Sequence, residues 1–282
     1  MKNISKVTYD ALKVEGLKEV FQHISRACQF LGIDFFIIGA IARNVWLVMH
    51  DENPAGTKDI DFAVYIPNIE EYTNLKNKLQ TAYQYNESNE NAFCMISPKG
   101  IQIDLLPFGE IENENQVMIE GKGLTAIKLD GFKEVYDFGL QEIKIGNENY
   151  TVCNIPSVVI LKLIAYDDRP EHRIKDIKDI NSICKYYPDL EQEHIWANHF
   201  DLYTDDRSHD EVAMIVLGRE IKKIAMANDK LYSKLLTILN KAIAHESSFL
   251  DLMIEDNEKE NVGMKRLLLK HILSGLKEGT ET

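Results

Sequence analysis

The stretch "GTKDIDFAVYI", from Gly56 to Ile66, constrains the fold more than any other part of the chain. Side chains on a strand alternate between faces with a period of two. Ile60, Phe62, Val64 and Ile66 therefore form one apolar face, while Asp59, Asp61 and Ala63 share the other. A strand of this kind lays its apolar face on a core. Its other face carries two neighbouring carboxylates, which is electrostatically unfavourable unless something positive lies between them.

Around this strand, helix-like and strand-like segments alternate from about residue 15 to 150. "LKEVFQHISRACQFLG" predicts a helix, "DFFIIG" a strand, and another helix begins near Ala40. After the aspartate strand, "NIEEYTNLKNKLQTA" predicts an amphipathic helix. "NAFCMISPKGIQIDLLPF" predicts two strands joined at the turn signal "SPKG". "EVYDFG" and "QEIKIGNENYTVCN" read as further short strands. From Pro156 onward apolar residues fall only at helical spacing, from "PSVVILKLIAYDD" to "GMKRLLLKHILSGL". The expected architecture is α+β: a mixed sheet with flanking helices over 1–153, then a helical domain over 154–282. The terminal "KEGTET" is expected to fray.

Composition limits the function classes. The 282 residues, 45% hydrophobic and 27% charged, are those of a soluble globular chain with room for one large or two ordinary domains. The opening "MKNISKVTYDALKVEGLKEV" has no uncharged apolar core, so no signal peptide is expected. Apolar runs such as "FFIIGAIA" stop well short of the ~20 residues of a membrane span. Cys28, Cys94, Cys153 and Cys184 form no CxxC pair and have no histidine cluster beside them. Free thiols in a reducing cytoplasm are expected, and no zinc site. Trp46, Trp196 and the scattered histidines read as core or surface residues. The formal charge of −13 argues against broad non-specific binding to nucleic acid, but leaves room for polyphosphates handled through metal ions.

A third carboxylate sits in a comparable strand. In "GIQIDLLPFG", Ile101, Ile103 and Leu105 alternate with Gln102, Asp104 and Leu106. Three carboxylates on neighbouring strands make the hard, oxygen-rich cluster that Mg²⁺ accepts beside substrate phosphates. Two such ions, about 3.5–4 Å apart, can clamp the attacking and leaving oxygens of an in-line phosphoryl displacement. Taken alone, Asp-x-Asp also fits a turn or a helix cap. The segment "FFIIGAIARNVWL" narrows the choice, because a strand runs into Gly39 and a helix starts at once. Helix N-termini offer unpaired N–H groups to anions. Gly39 lets the backbone approach a phosphate, and Arg43, one turn in, could pair with it or lie on the surface.

Downstream, Lys162 and Arg169 are two turns apart along one helix face, which is equally the pattern of a solvated basic face. Pro170 is expected to break that helix. Asp176 and Asp179 can pair along their own helix with Arg173, Lys175 or Lys178, the reading preferred for Asp179.

Together, "IIGAIARN", "GTKDIDFAV" and "IQIDLLPFG" resemble the nucleotidyltransferases of the AbiEii/AbiGii toxin group, within the DNA polymerase β-like superfamily. The resemblance extends through "VVILKLIAYDDRPEHRIKDIKDI" and, more weakly, "HDEVAMIVLGREI", covering roughly residues 30 to 225. It implies a polymerase-β-like fold and transfer of a nucleoside monophosphate from an NTP to an acceptor hydroxyl. It implies two Mg²⁺ ions, or Mn²⁺, on Asp59, Asp61 and Asp104. Gly39 and Ala40 correspond to the phosphate-binding turn. Arg43, Thr57, Lys58 and Arg169 join the nucleotide-binding set, and the second domain contributes Lys162 and Asp176. Further implications are a type IV toxin–antitoxin or phage-defence role, a cognate antitoxin, and an RNA acceptor such as a tRNA end. Two alternatives stand beside it: a small-molecule transferase of the aminoglycoside-modifying kind, and a catalytically silent binding module. Two positions depart from the pattern. Ala40 stands where many relatives carry serine, and Asn44 where aspartate is expected.

Overall fold

Leu17, Val20, Phe21, Ile24, Ala27 and Cys28 recur at helical spacing. In the computed structural model they form the buried face of helix α1 (Leu17–Leu31), which Gly32 ends in a left-handed conformation. The structure describes residues 7–244, 247–254 and 262–279. The part of the terminal "KEGTET" beyond residue 279 lies outside them. The chain forms two units: Met1–Lys133 with Leu140–Asn154, and Glu134–Gly139 with Ile155–Thr282.

In the first unit, β1 (Phe35–Ile37) leads into α2 (Gly39–Met49), followed by β2 (Asp59–Tyr65) and α3 (Ile69–Tyr83). The strands β3 (Asn86–Glu87), β4 (Cys94–Ile96), β5 (Gln102–Phe108), β6 (Gln116–Met118) and β7 (Ala126–Lys128) come next. After α4 (Phe132–Phe138), the hairpin β8 (Leu140–Ile145) and β9 (Glu148–Cys153) closes the unit. Seven strands form one mixed sheet in the order β3-β4-β5-β2-β1-β9-β8, and β6-β7 form a separate ribbon. β2 runs antiparallel to β1 and parallel to β5; β4 and β5 pair antiparallel, as "SPKG" predicts.

The period-two reading of β2 holds. Ile60, Phe62 and Val64 are fully buried, and Phe62 meets Phe21 of α1 edge-on at 5.6 Å. Each such side chain contributes about 1.5–3 kcal/mol by burial. On the other face, Ala63 pairs with Phe36, whose ring meets Phe108 at 5.5 Å. That face is apolar except at the end where β2 begins. Tyr72 of α3 ties the sheet to the helix by donating to the Leu105 carbonyl at 2.8 Å.

One element differs from expectation. "EVYDFG" is mostly helix α4 rather than strand. Phe132 and Val135, three apart, are buried together, so local hydrophobic spacing favours a helical turn over alternation. Residues 134–139 also group with the helical unit, although they fall within the stretch expected to form the sheet domain. Ser157 Oγ donates to the Gly139 carbonyl at 3.0 Å, and Asn228 Nδ2 to Glu134 Oε1 at 2.7 Å. The four cysteines are buried thiols outside any disulfide. Among the described residues, no helix is long and apolar enough to cross a membrane.

The second unit continues with α5 (Ile155–Asp168), α6 (Ile174–Leu190), α7 (Gln192–Asn198), α8 (His209–Ala225), α9 (Asp229–Ala242), α10 (Ser248–Leu252) and α11 (Val262–Lys277). Pro156 sits in the first turn of α5, where its missing N–H costs nothing. α8 and α11 approach backbone to backbone. A Cβ on Gly218 would lie 2.1 Å from the Ile272 carbonyl oxygen, and one on Gly275 1.9 Å from that of Ile215. Gly275→Ala must therefore push the two helices apart. It is expected to cost at least about 1–3 kcal/mol, read as a lowered urea midpoint for the helical unit.

Candidate active site

The end of β1 and the starts of β2 and β5 meet at one edge of the sheet, because β1 is antiparallel to β2 while β5 is parallel to it. Asp59 and Asp61 lie two apart on β2, and Asp61 is in register with Asp104 on β5. In-register neighbours share a face, so all three carboxylates lie on the same side of the sheet. Each is partly exposed while the residues between them are buried. Their oxygens do not gather into one group within 4.8 Å of one another, as the His194, His199 and Glu220 side chains do. The aspartates line one edge of the sheet rather than wrapping a single point.

Gly39 completes this edge. It opens α2 with φ of +66°, and a Cβ built there would lie 2.0 Å from Asp61 Oδ2. No other residue permits the Asp61 carboxylate this close to the helix start. The first N–H groups of α2 have no partner within the helix, and Gly39 and Ala40 are partly exposed, so the turn offers donors to an anion. Gly39→Ala combines this clash with left-handed backbone strain. It is expected to cost about 1–3 kcal/mol, measured by urea unfolding of the sheet unit.

Neighbouring groups orient the carboxylates. Asn91 Nδ2 donates to Asp104 Oδ1 at 3.3 Å, while its own Oδ1 accepts from the Phe93 N–H at 3.0 Å. Sequence reading missed Asn91, because only the pairing of β4 with β5 brings it beside Asp104. Cys94 lies directly opposite Asp104 in that register. Burial, with the Asp104 charge behind it, pushes the Cys94 thiol up to about 12. The buried Tyr72 hydroxyl is raised in the same way, by desolvation first and Asp104 second. Thr57 Oγ1 accepts from the Asp59 N–H and donates to the Asp59 carbonyl, at 3.4 and 3.2 Å, shaping the chain into β2; Lys58 is exposed.

Arg43 is buried rather than at the surface. It is 8% exposed, and its Nε and Nη2 donate to Asn44 Oδ1 at 3.2 and 2.8 Å. Asn44 Nδ2 in turn donates to the Ala55 carbonyl at 3.0 Å, fastening the loop that leads to Asp59. This accounts for asparagine where aspartate was expected, since a carboxylate could accept from Arg43 but could not donate to Ala55.

The remaining predicted residues belong to the helical unit. Lys162 is 6% exposed, and its Nζ bonds Asp176 Oδ1 at 2.7 Å and Asp179 Oδ2 at 2.6 Å. Asp179 therefore pairs across to α5, and Lys162 is not part of a solvated basic face. Arg169 stands just past the end of α5 with φ of −146°, as Pro170 dictates, so it does not continue the helix face of Lys162. Lys162→Met would leave the buried Asp176 and the part-exposed Asp179 without the cation they share. It is expected to destabilise the helical unit by about 3–5 kcal/mol, measured by urea denaturation.

No protein-family model and no curated protein matches this sequence. Among solved structures, it is similar to the antibiotic-resistance factor ANT(2'')-Ia at 12% identity and a TM-score of 0.40, covering 79% of this chain and 96% of that one. It is similar to an antigenic nucleotidyltransferase-like protein from Paracoccidioides brasiliensis at 13% identity and a TM-score of 0.40, covering 81% and 94%. The Thermotoga maritima CCA-adding enzyme complexed with tRNA is similar at 9% identity and a TM-score of 0.35, covering 91% and 68%. Likenesses this distant carry no argument, and the site stands on its own geometry.

Proposed function

We propose that the chain is a metal-dependent nucleotidyltransferase of the polymerase-β-like kind, moving a nucleoside monophosphate from an NTP to an acceptor hydroxyl. The observation that carries this reading is the Asp61–Asp104 register beside the Gly39 turn: a carboxylate edge and an anion-binding helix start within one short reach. The donor set fits Mg²⁺, or Mn²⁺, since it consists of hard carboxylate oxygens at a partly exposed edge. Asp59, Asp61 and Asp104 would hold two ions. Bound there, the metal would supply Lewis-acid neutralisation of the triphosphate charge.

The protein's own part is positioning and proton transfer. The N–H groups at Gly39 and Ala40 hold phosphate oxygens, and the Thr57–Lys58 segment flanks the nucleotide. Asp104, steadied by Asn91, takes the proton of the acceptor hydroxyl. The acceptor oxygen bonds to the α-phosphorus as the α–β bridge breaks, and pyrophosphate leaves. Lys162 would offset charge on the leaving group only by releasing Asp176 or Asp179, which hold it at rest. Arg169 and Asp176 would act on the nucleotide from the helical unit. Arg43 serves the site through Asn44 and the loop at Ala55.

The motif resemblance favours a member of the AbiEii/AbiGii toxin group. Such a member would act in a type IV toxin–antitoxin or abortive-infection system, in the cytoplasm, with a cognate antitoxin and an RNA acceptor such as a tRNA end. One observation favours a second acceptor class: a chain of net charge −13 attracts a cationic small molecule, such as an aminoglycoside, more readily than RNA. Incubation with labelled NTPs, Mg²⁺ and either total RNA or an aminoglycoside panel separates the two. Label in RNA supports the first acceptor and label in the drug the second; no label under any condition overturns the enzymatic reading. Asp61→Asn is expected to lower transfer by about 10²–10³-fold, the equivalent of several kcal/mol of lost charge stabilisation, with an unchanged circular dichroism spectrum. Undiminished label in that variant contradicts the mechanism.

A further inference from the structure

The histidines expected to be scattered are not all so. His194 on α7, His199 just past its end and Glu220 on α8 bring one ligand atom each to within 4.8 Å of the others. His194 Nε2 and His199 Nε2 both stand 3.3 Å from the same carboxylate oxygen, Glu220 Oε1. Zinc bonds nitrogen and oxygen at about 2.0–2.2 Å in a tetrahedron. The edge of such a tetrahedron is about 3.3–3.5 Å, so the two N···O distances already match a ligand–ligand edge around an ion. His199 supplies an independent sign: it is 5% exposed, and its buried Nε2 makes no hydrogen bond.

We infer that His194, His199 and Glu220 form a binding site for a borderline divalent transition cation, Zn²⁺ foremost, separate from the aspartate edge. Two imidazoles and a carboxylate are zinc's ordinary ligands. His199 also lines a cavity of about 400 Å³, from which water can fill the fourth position.

The metal-free cluster has its own internal logic, which the ion must displace. Lys223 Nζ already sits 2.5 Å from Glu220 Oε1, a cation in the place where the ion would act, but its side chain is 62% exposed and can swing to solvent. Arg219 Nη1 donates to His199 Nδ1, and Asn198 Nδ2 to His194 Nδ1, so each ring carries its proton on Nε2. Metal binding moves that proton to Nδ1. Arg219 then keeps its contacts to Asp201 and Glu278, and an Asn198 amide turned over accepts from His194. The ion would tie the end of α7 to α8.

The test uses the full chain freed of metal with a chelator, titrated with Zn²⁺ by calorimetry and with Co²⁺ by visible absorption. One equivalent of Zn²⁺ is expected to bind and raise the melting temperature, and Co²⁺ to give the intense bands of a tetrahedral nitrogen–oxygen site. His194→Gln, at a part-exposed position that keeps the fold, and Glu220→Gln should each abolish all three signals. Lys223→Gln should tighten binding about tenfold or more. Asp61→Asn should leave the site intact, separating it from the aspartate edge. No binding by the folded chain, or binding undiminished in both His194→Gln and Glu220→Gln, overturns the inference.

Discussion

The candidate site depends on the parallel register of β2 with β5. Asp61 faces the same way as Asp104 only because Ile60 pairs with Ile103 and Phe62 with Leu105 on the buried side. A slip of one residue would turn Asp104 into the core and bring an apolar side chain to the edge. Burial on one face thus enforces the meeting of charges on the other. Tyr72 adds a peg, because its buried hydroxyl reaches the Leu105 carbonyl on the strand that carries Asp104.

The two units treat buried charge in opposite ways. In the helical unit, Lys162 sits between Asp176 and Asp179, a closed arrangement in which each charge answers another at short range. In the sheet unit, Asp59, Asp61 and Asp104 lie along a partly open edge beside a helix start, where charge can be answered from solution. The first arrangement is closed on itself, and the second lies at the sheet edge on which the proposed function rests. The contrast also shows why residue type alone misleads: both groups are aspartates.

Much of the sheet unit was legible from local pattern. The alternation in "DIDFAVY", the turn "SPKG" and the glycine between β1 and α2 each encode their structure within a few residues. What was not legible needed contacts between distant segments. Asn91 reaches Asp104 only through a strand pairing, and Asp179 finds Lys162 only through the packing of α6 on α5. His194 and His199 meet Glu220 on another helix, at a separation no motif spacing announces. Arg43 is buried, and its bond to the neighbouring Asn44 side chain is not announced by its charge. "EVYDFG" failed in the other direction, since short apolar segments carry too little periodicity to separate strand from helix.

The crossing of α8 and α11 has a consequence for the variation the helical unit can accept. At Gly218 and Gly275 the separation of the helices is set by main-chain atoms in contact, not by rotamers that could readjust. Leucines and isoleucines around the crossing can exchange shape with one another while the distance between the axes stays where the two peptide backbones stop. The joint behaves as a fixed gauge: sequence drift nearby changes the filling and leaves the spacing alone.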